Sequence, residues 1–165
     1  MDTDIHPPRG GTLPLVSVAL AAAILLAWCL AAFALGQAPW ASQRSRLLLD
    51  IGAANGDLVA QGQWWRLLAS QFLHVHALHM LFNAACVAII GAALERRHGR
   101  VPLALVVLLG GTIGQLASVL AYPHLVSSGA SQALMALCAA ALVLPTGRGS
   151  RVFAFAVVAI QAGLD

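Results

Sequence analysis

The sequence predicts an all-α polytopic membrane protein, and three observations predict it. Of the 165 residues, 60% are hydrophobic and only 9% charged, whereas a soluble domain carries about a quarter charged residues. Mean hydropathy is +0.84. The apolar residues gather into runs of near-spanning length separated by short polar segments, and a membrane helix needs about 20 such residues to cross roughly 30 Å of hydrocarbon. The lipid bilayer is therefore the solvent for most of this surface.

Leu13–Leu35 is an apolar run of 23 residues, longer than the about 7–15 of a signal-peptide core and preceded by Asp2 and Asp4, so it reads as a retained first span. Residues 1–12 form a tail ahead of it, and residues 13–165 form one transmembrane domain. Leu78–Leu94 is the second span, bounded by Glu95-Arg96-Arg97, and Val101–Tyr122 is the third. Ser131–Leu144 is a short fourth run stopped by Pro145, and Val152–Leu164 is a fifth run that ends with the chain. Placing the N-terminus in the cytoplasm puts Arg9, Arg96, Arg97, Arg100, Arg148 and Arg151 inside and only Arg44, Arg46 and Arg66 outside, as the positive-inside rule requires. Segment 36–76 and the loop 123–129 then lie outside. Basic residues that are all Arg, with an excess of Ala, Leu and Val, point to a GC-rich bacterial gene and so to a bacterial inner membrane.

Composition also excludes functions. A net charge of +3, drawn from short Arg clusters with no aromatic interleaving, excludes nucleic acid as a partner. Cys29, Cys86 and Cys138 stand singly inside apolar runs, which fits neither a disulfide framework nor a zinc site. His74, His76 and His79 raise a metal as an alternative, with His76 and His79 on one helix face, but no carboxylate or thiol adjoins them in sequence. No metal and no cofactor are expected.

Polar residues inside spans are costly and mark cavities or partners. His79 and Asn83 are four apart and share a helix face, Asn83 about 6 Å deeper. Both can donate hydrogen bonds into one small volume, as a developing oxyanion needs in a water-poor pocket; a hydrogen-bonded pair that merely joins helices is the other reading. Ser131 caps the fourth run, whose 14 residues make a helix only about 21 Å long. Its start then lies roughly 9 Å below the outer surface, and Gly129-Ala130 runs as irregular backbone at membrane depth, tolerated only when buried or lining a watery cavity. A serine on a glycine-supported turn at a helix start suits a nucleophile, with free backbone N–H groups beside it; an ordinary N-cap is the alternative. The arginine count, which used none of these residues, puts His79, Asn83 and Ser131 on the same side. Elsewhere, Gly110 and Gly114 give the third span a Gly-x-x-x-Gly spacing for close helix approach, which Ala133, Ala136 and Ala140 of the fourth run match. Trp64-Trp65-Arg66 suits the interfacial belt, with Arg66 reaching phosphates or carbonyls.

Gly62-Gln63-Trp64-Trp65-Arg66, then His74-x-x-x-x-His79-x-x-x-Asn83, then Gly129-Ala130-Ser131, resembles the rhomboid intramembrane serine proteases over about residues 13–165. The resemblance implies a rhomboid-like bundle with five of the family's six spans. It implies Ser131 as nucleophile, His79, Asn83 and the Ser131 N–H as oxyanion hole, His74 as a support, and Gly129, Trp65, Arg66, Gly110 and Gly114 as structural residues. It further implies cleavage of transmembrane segments of other proteins at a site opening to the outer side, without metal or cofactor. Two departures stand out. Gln132 follows the serine where the family often has a small residue, and would crowd the substrate carbonyl or serve as a further donor. The family's base is a histidine on the sixth span in an Ala-His-x-x-Gly setting, and no histidine follows His124 here. A fragment, or a truncated product inactive without that base, is the expectation; the alternative is a catalytically dead rhomboid-like protein that binds transmembrane helices.

Overall fold

A computed structural model describes residues 13–38 and 40–162, the last by backbone alone. The 1–12 tail, with Arg9, and the last two residues of the fifth run lie outside these. Among the described residues there are eight α-helices and one 3-10 turn, and the only β pairing is an isolated antiparallel bridge. Helices α1 (Leu15–Ala34), α5 (Ala77–His98) and α6 (Arg100–Ala121) are long and apolar enough to cross a membrane. Segment 36–76 folds into three short helices, α2 (Ser45–Ile51), α3 (Gly56–Ala60) and α4 (Arg66–Ala69), followed by the 3-10 turn Ser70–Phe72. Helix α7 (Ser131–Val143) has 13 residues and α8 (Arg148–Ala162) has 15. The protein is a helical integral membrane bundle.

The bundle closes around α7. Leu134, Leu137, Cys138 and Ala141 of that helix have no exposed surface, and they pack with Ile24 and Trp28 of α1, Val87 and Ile90 of α5, Leu103 and Val107 of α6, and Ala154 and Val157 of α8. Small residues set the α6–α7 approach. A Cβ at Gly110 would collide with that of Ala136, and one at Gly114 would sit 2.6 Å from the Gln132 Cβ. With almost no hydrophobic force between helices in lipid, such close backbone packing holds them together.

The α5 boundary differs from the sequence expectation. The helix does not stop before Glu95-Arg96-Arg97 but runs through them to His98, where Gly99 at φ +96° turns the chain into α6. Glu95 is 4% exposed. Its carboxylate accepts from the Val16 N–H (3.0 Å), the Ser17 N–H (2.8 Å) and the Ser17 hydroxyl (2.6 Å), while Arg100 lies 3.7 Å away. Pro14 cannot cap α1 with its side chain, so a carboxylate from another helix satisfies the first-turn donors instead.

Candidate functional site

The candidate site is built where the 122–130 turn meets segment 36–76. Ala54 and Ser127 exchange backbone hydrogen bonds (3.1 and 2.7 Å), Gly56 N–H donates to Pro123 O (2.8 Å), and Gly129 N–H donates to Ser70 O (2.9 Å). Arg66 organises the segment: its Nε donates to Gln63 Oε1 (2.6 Å) and its Nη1 to the carbonyls of Leu49 (2.6 Å) and Ala53 (2.8 Å). Arg66 is 8% exposed, and its guanidinium carbon also lies 4.7 Å from the Trp65 ring centre. Carbonyls, one of the two kinds of partner expected for Arg66, are supplied by the backbone of Leu49 and Ala53. Trp64 and Trp65 are exposed, and Gly52 at φ +125° is where the chain passes under the Trp65 ring.

Helix α7 ends level with α5: His98 Nε2 donates to Pro145 O (3.2 Å). Ser131 lies 14 residues before Pro145, and the same number of residues back from His98 is Ala84. With about 1.5 Å rise per residue in two helices running the same way, Ser131 falls in the layer of Asn83, about 10 Å below the start of α5.

His74 joins the two groups. Its Nε2 accepts from the Ala130 N–H (3.2 Å) and from Asn83 Nδ2 (3.2 Å), and its Nδ1–H donates to Phe72 O (3.3 Å). Two donors on Nε2 fix the neutral tautomer. Burial, and secondarily the His79 ring, push the His74 pKa down to about 4 against the opposing pull of the Phe72 carbonyl. The rings of His74 and His79 meet edge to face with centres 5.8 Å apart. His79 is exposed and Asn83 fully buried; Asn83 keeps a second N–H and has Oδ1 buried without a partner. Gly129 is fixed by its φ of +119°; a Cβ there would only touch His74 at 3.7 Å and Ser131 Oγ at 3.9 Å, so conformation and not space demands glycine.

Two expectations are corrected. Ser131 is not the N-cap of α7: it is the first helical residue, Ala130 holds the cap position, and no side chain caps the helix. The Ser131 hydroxyl instead donates to Gln132 Oε1 (2.9 Å), leaving first-turn N–H groups, that of Ser131 included, without intrahelical acceptors. His76 does not share a helix face with His79. It precedes α5 and pairs through Nδ1 with Ser42 Oγ at 2.9 Å. No group of three or more His, Cys, Asp or Glu converges among the described residues.

Sequence reasoning missed Gln115. Fully buried on α6, its Nε2 donates to Gly129 O (3.1 Å) and Gln132 Oε1 (3.4 Å), and its Oε1 accepts from Ser127 Oγ (2.5 Å). Gln71 similarly bonds Leu67 O and Thr112 Oγ1. An amide inside an apolar span was the available signal, the same one that singled out Asn83.

Fold and site together define a polytopic helical membrane protein that encloses a polar, serine-bearing turn within its own helices. The Rhomboid domain family matches residues 61–163, more than half the chain, and the chain belongs to the rhomboid family. It is 37% identical over 102 residues to Rhomboid protease GluP of Bacillus subtilis (strain 168), covering 62% of this chain and 20% of that protein. It is 39% identical over 123 residues to RHOMBOID-like protein 7 of Arabidopsis thaliana, covering 69% and 39%. Against the RHOMBOID-like protein 6, mitochondrial, of the same plant it is 34% identical over 105 residues, covering 63% and 34%. The chain thus spans between 20% and 39% of the length of these relatives.

Proposed function

We propose that the chain carries the nucleophile and oxyanion side of an intramembrane serine endopeptidase. The observation that carries this reading is the bridge Ala130 N–H to His74 to Asn83, which ties the Ser131 turn to the helix bearing His79. In the proposed reaction the Ser131 hydroxyl oxygen attacks a substrate carbonyl within a transmembrane segment, its proton passing to a base. The resulting oxyanion receives the Ser131 N–H, the second N–H of Asn83 and His79, and these pre-oriented donors act in a water-poor pocket where they count most. Collapse releases the amine half, and water frees the acyl half. Trp65 and Arg66 hold the covering segment in place. Family membership supports a bilayer as the working medium and transmembrane proteins as substrates. The arginine distribution supports a cytoplasmic N-terminus and a site opening outward, in a bacterial inner membrane.

The base is not among these residues, since no histidine follows His124. The experiment is fluorophosphonate labelling of the chain alone and of the chain extended by a helix bearing the family's Ala-His-x-x-Gly. The extended protein is expected to label and its Ser131→Ala variant not to; labelling that survives Ser131→Ala refutes the assignment. The bond from Ser131 Oγ to Gln132 Oε1 favours one second reading. A serine holding its proton against a non-basic amide belongs to a resting or non-cleaving protein that captures transmembrane helices. Extension that leaves Ser131 unlabelled, with substrate helices still co-purifying, selects this reading over the first.

A further inference from the structure

A cavity of about 450 Å³ opens where α1 ends and the chain leads into α2, within the range of about 300–1,000 Å³ usual for small-molecule sites. Its lining includes Leu35, Gly36 and Gln37 from the end of α1, and Ser42, Arg44 and Leu47 from the lead-in and first turn of α2. Helix α1 has 20 residues, a length of about 30 Å that matches the hydrocarbon thickness, so the cavity sits at headgroup level. Residues 42–44 lie outside any helix, with Arg44 extended at φ −72° and ψ 115°. Side chains alternate along such backbone. Gln43 is accordingly buried, its N–H donating to Val75 O (2.7 Å), while Ser42 and Arg44 on either side of it are exposed and line the cavity. Ser42 Oγ lies 2.9 Å from His76 Nδ1, which ties this lead-in to the start of α5.

The lining carries both signs of charge. Arg44 makes no ion pair among the described residues. The carbonyl end of α1 is partially negative, with no basic residue in its last turn. Gln37 Oε1 is buried there without a partner, an acceptor whose desolvation is uncompensated until a donor arrives. Leading up to the cavity, Leu26, Leu30 and Phe33 are exposed at four- and three-residue spacing on one face of α1. We infer that the cavity binds the headgroup of a zwitterionic phospholipid with a primary ammonium, phosphatidylethanolamine. The phosphate rests on Arg44, the ammonium on the carbonyl end of α1 and on Gln37 Oε1, and an acyl chain along Leu26, Leu30 and Phe33. Guanidinium matches phosphate with two parallel donors. The terminal torsion of a glutamine amide is soft, so its oxygen turns to meet the ammonium. The methylated ammonium of phosphatidylcholine has no N–H to give these acceptors, and phosphatidylglycerol brings no cation to them. The apolar track on α1 selects a lipid over a soluble phosphate.

The test uses the full chain in nanodiscs of equal palmitoyl-oleoyl phosphatidylethanolamine, phosphatidylcholine and phosphatidylglycerol, with the released complexes weighed by native mass spectrometry. Phosphatidylethanolamine is expected to be retained at least about tenfold over either other lipid, a difference of about 1.4 kcal/mol. Arg44→Gln is expected to bring all three lipids to within about twofold of one another, and Gln37→Leu to lower the preference over phosphatidylglycerol severalfold. Arg46→Gln, exposed two residues further along on α2, is expected to change nothing. Equal retention by the wild type, or a preference for phosphatidylglycerol, overturns the proposal. So does a wild-type ratio in Arg44→Gln or Gln37→Leu, or an equal drop in Arg46→Gln, which would mean unspecific charge. Release of the lipid by equimolar glycerophosphoethanolamine overturns it in favour of a site for a soluble ligand.

Discussion

Acid is expected to weaken this protein through His74 in a window set by its burial. The folded pKa of about 4 stands below the ordinary 6.5, so the folded state binds less proton than the unfolded state between those values. His74 therefore contributes stability that is fully present above about pH 6.5 and is lost as pH falls toward 4; below 4 both states are protonated and the loss ends. A separation of two to three units at 1.36 kcal/mol each gives about 3 kcal/mol. That is a large share of the 5–15 kcal/mol typical of a domain. Burial is the main cause, with the His79 ring second, and a proton on Nε2 would in addition face the Ala130 N–H and Asn83 Nδ2 with no acceptor between them. The assay is reversible unfolding in mixed micelles titrated with dodecyl sulfate, followed by tryptophan fluorescence from pH 7.5 to 4. The wild type is expected to lose about 3 kcal/mol more across that range than His74→Gln, whose amide does not titrate. Parallel curves for the two proteins would refute the reasoning.

Three further outcomes are expected from the same unfolding assay. Glu95→Ala leaves the Val16 and Ser17 N–H groups and the Ser17 hydroxyl without their acceptor, costing about 3–5 kcal/mol at the lower end of the range of about 1–3 per orphaned donor; Glu95→Gln, which keeps one acceptor oxygen, costs less. Arg66→Lys cannot reproduce donation to Gln63, Leu49 and Ala53 at once, and is expected to lose about 2–3 kcal/mol, nearly as much as Arg66→Ala. Gly114→Val forces a side chain against Gln132 and costs about 1–3 kcal/mol. Because the clash is with the Gln132 Cβ and Cγ, at 2.6 and 2.9 Å, adding Gln132→Gly recovers part of the loss, and the double-mutant cycle measures a favourable coupling.

The spans were legible because length and apolarity alone mark them: Leu13–Leu35 and Val101–Tyr122 sit within one or two residues of α1 and α6. Helix periodicity likewise paired His79 with Asn83, and Pro145 marked the end of α7. What stayed hidden depends on residues far apart in sequence. Glu95 reads as a boundary charge until α1 arrives with uncapped donors from 78 positions away. His74 reads as an accessory until a backbone N–H 56 positions later reaches its Nε2. Gln115 was legible in principle, but the neighbouring Gly110 and Gly114 directed the reading of that span to packing. Ser131 reads as a cap because Ser commonly caps helices; a glutamine beside it, itself held by Gln115, takes its hydroxyl instead.

The proposed site needs Ser131, in the layer of Asn83, to open onto the same pocket as His79, which stands about one turn nearer the start of α5. The most direct measurement is thiol cross-linking between Ser131→Cys and His79→Cys by a short bifunctional reagent, in a chain with Cys29, Cys86 and Cys138 replaced. An intramolecular cross-link is expected for this pair and none for Ser131→Cys with Leu81→Cys, which is exposed on the other side of α5. Absence of the first, or equal yield from both, would contradict a shared site.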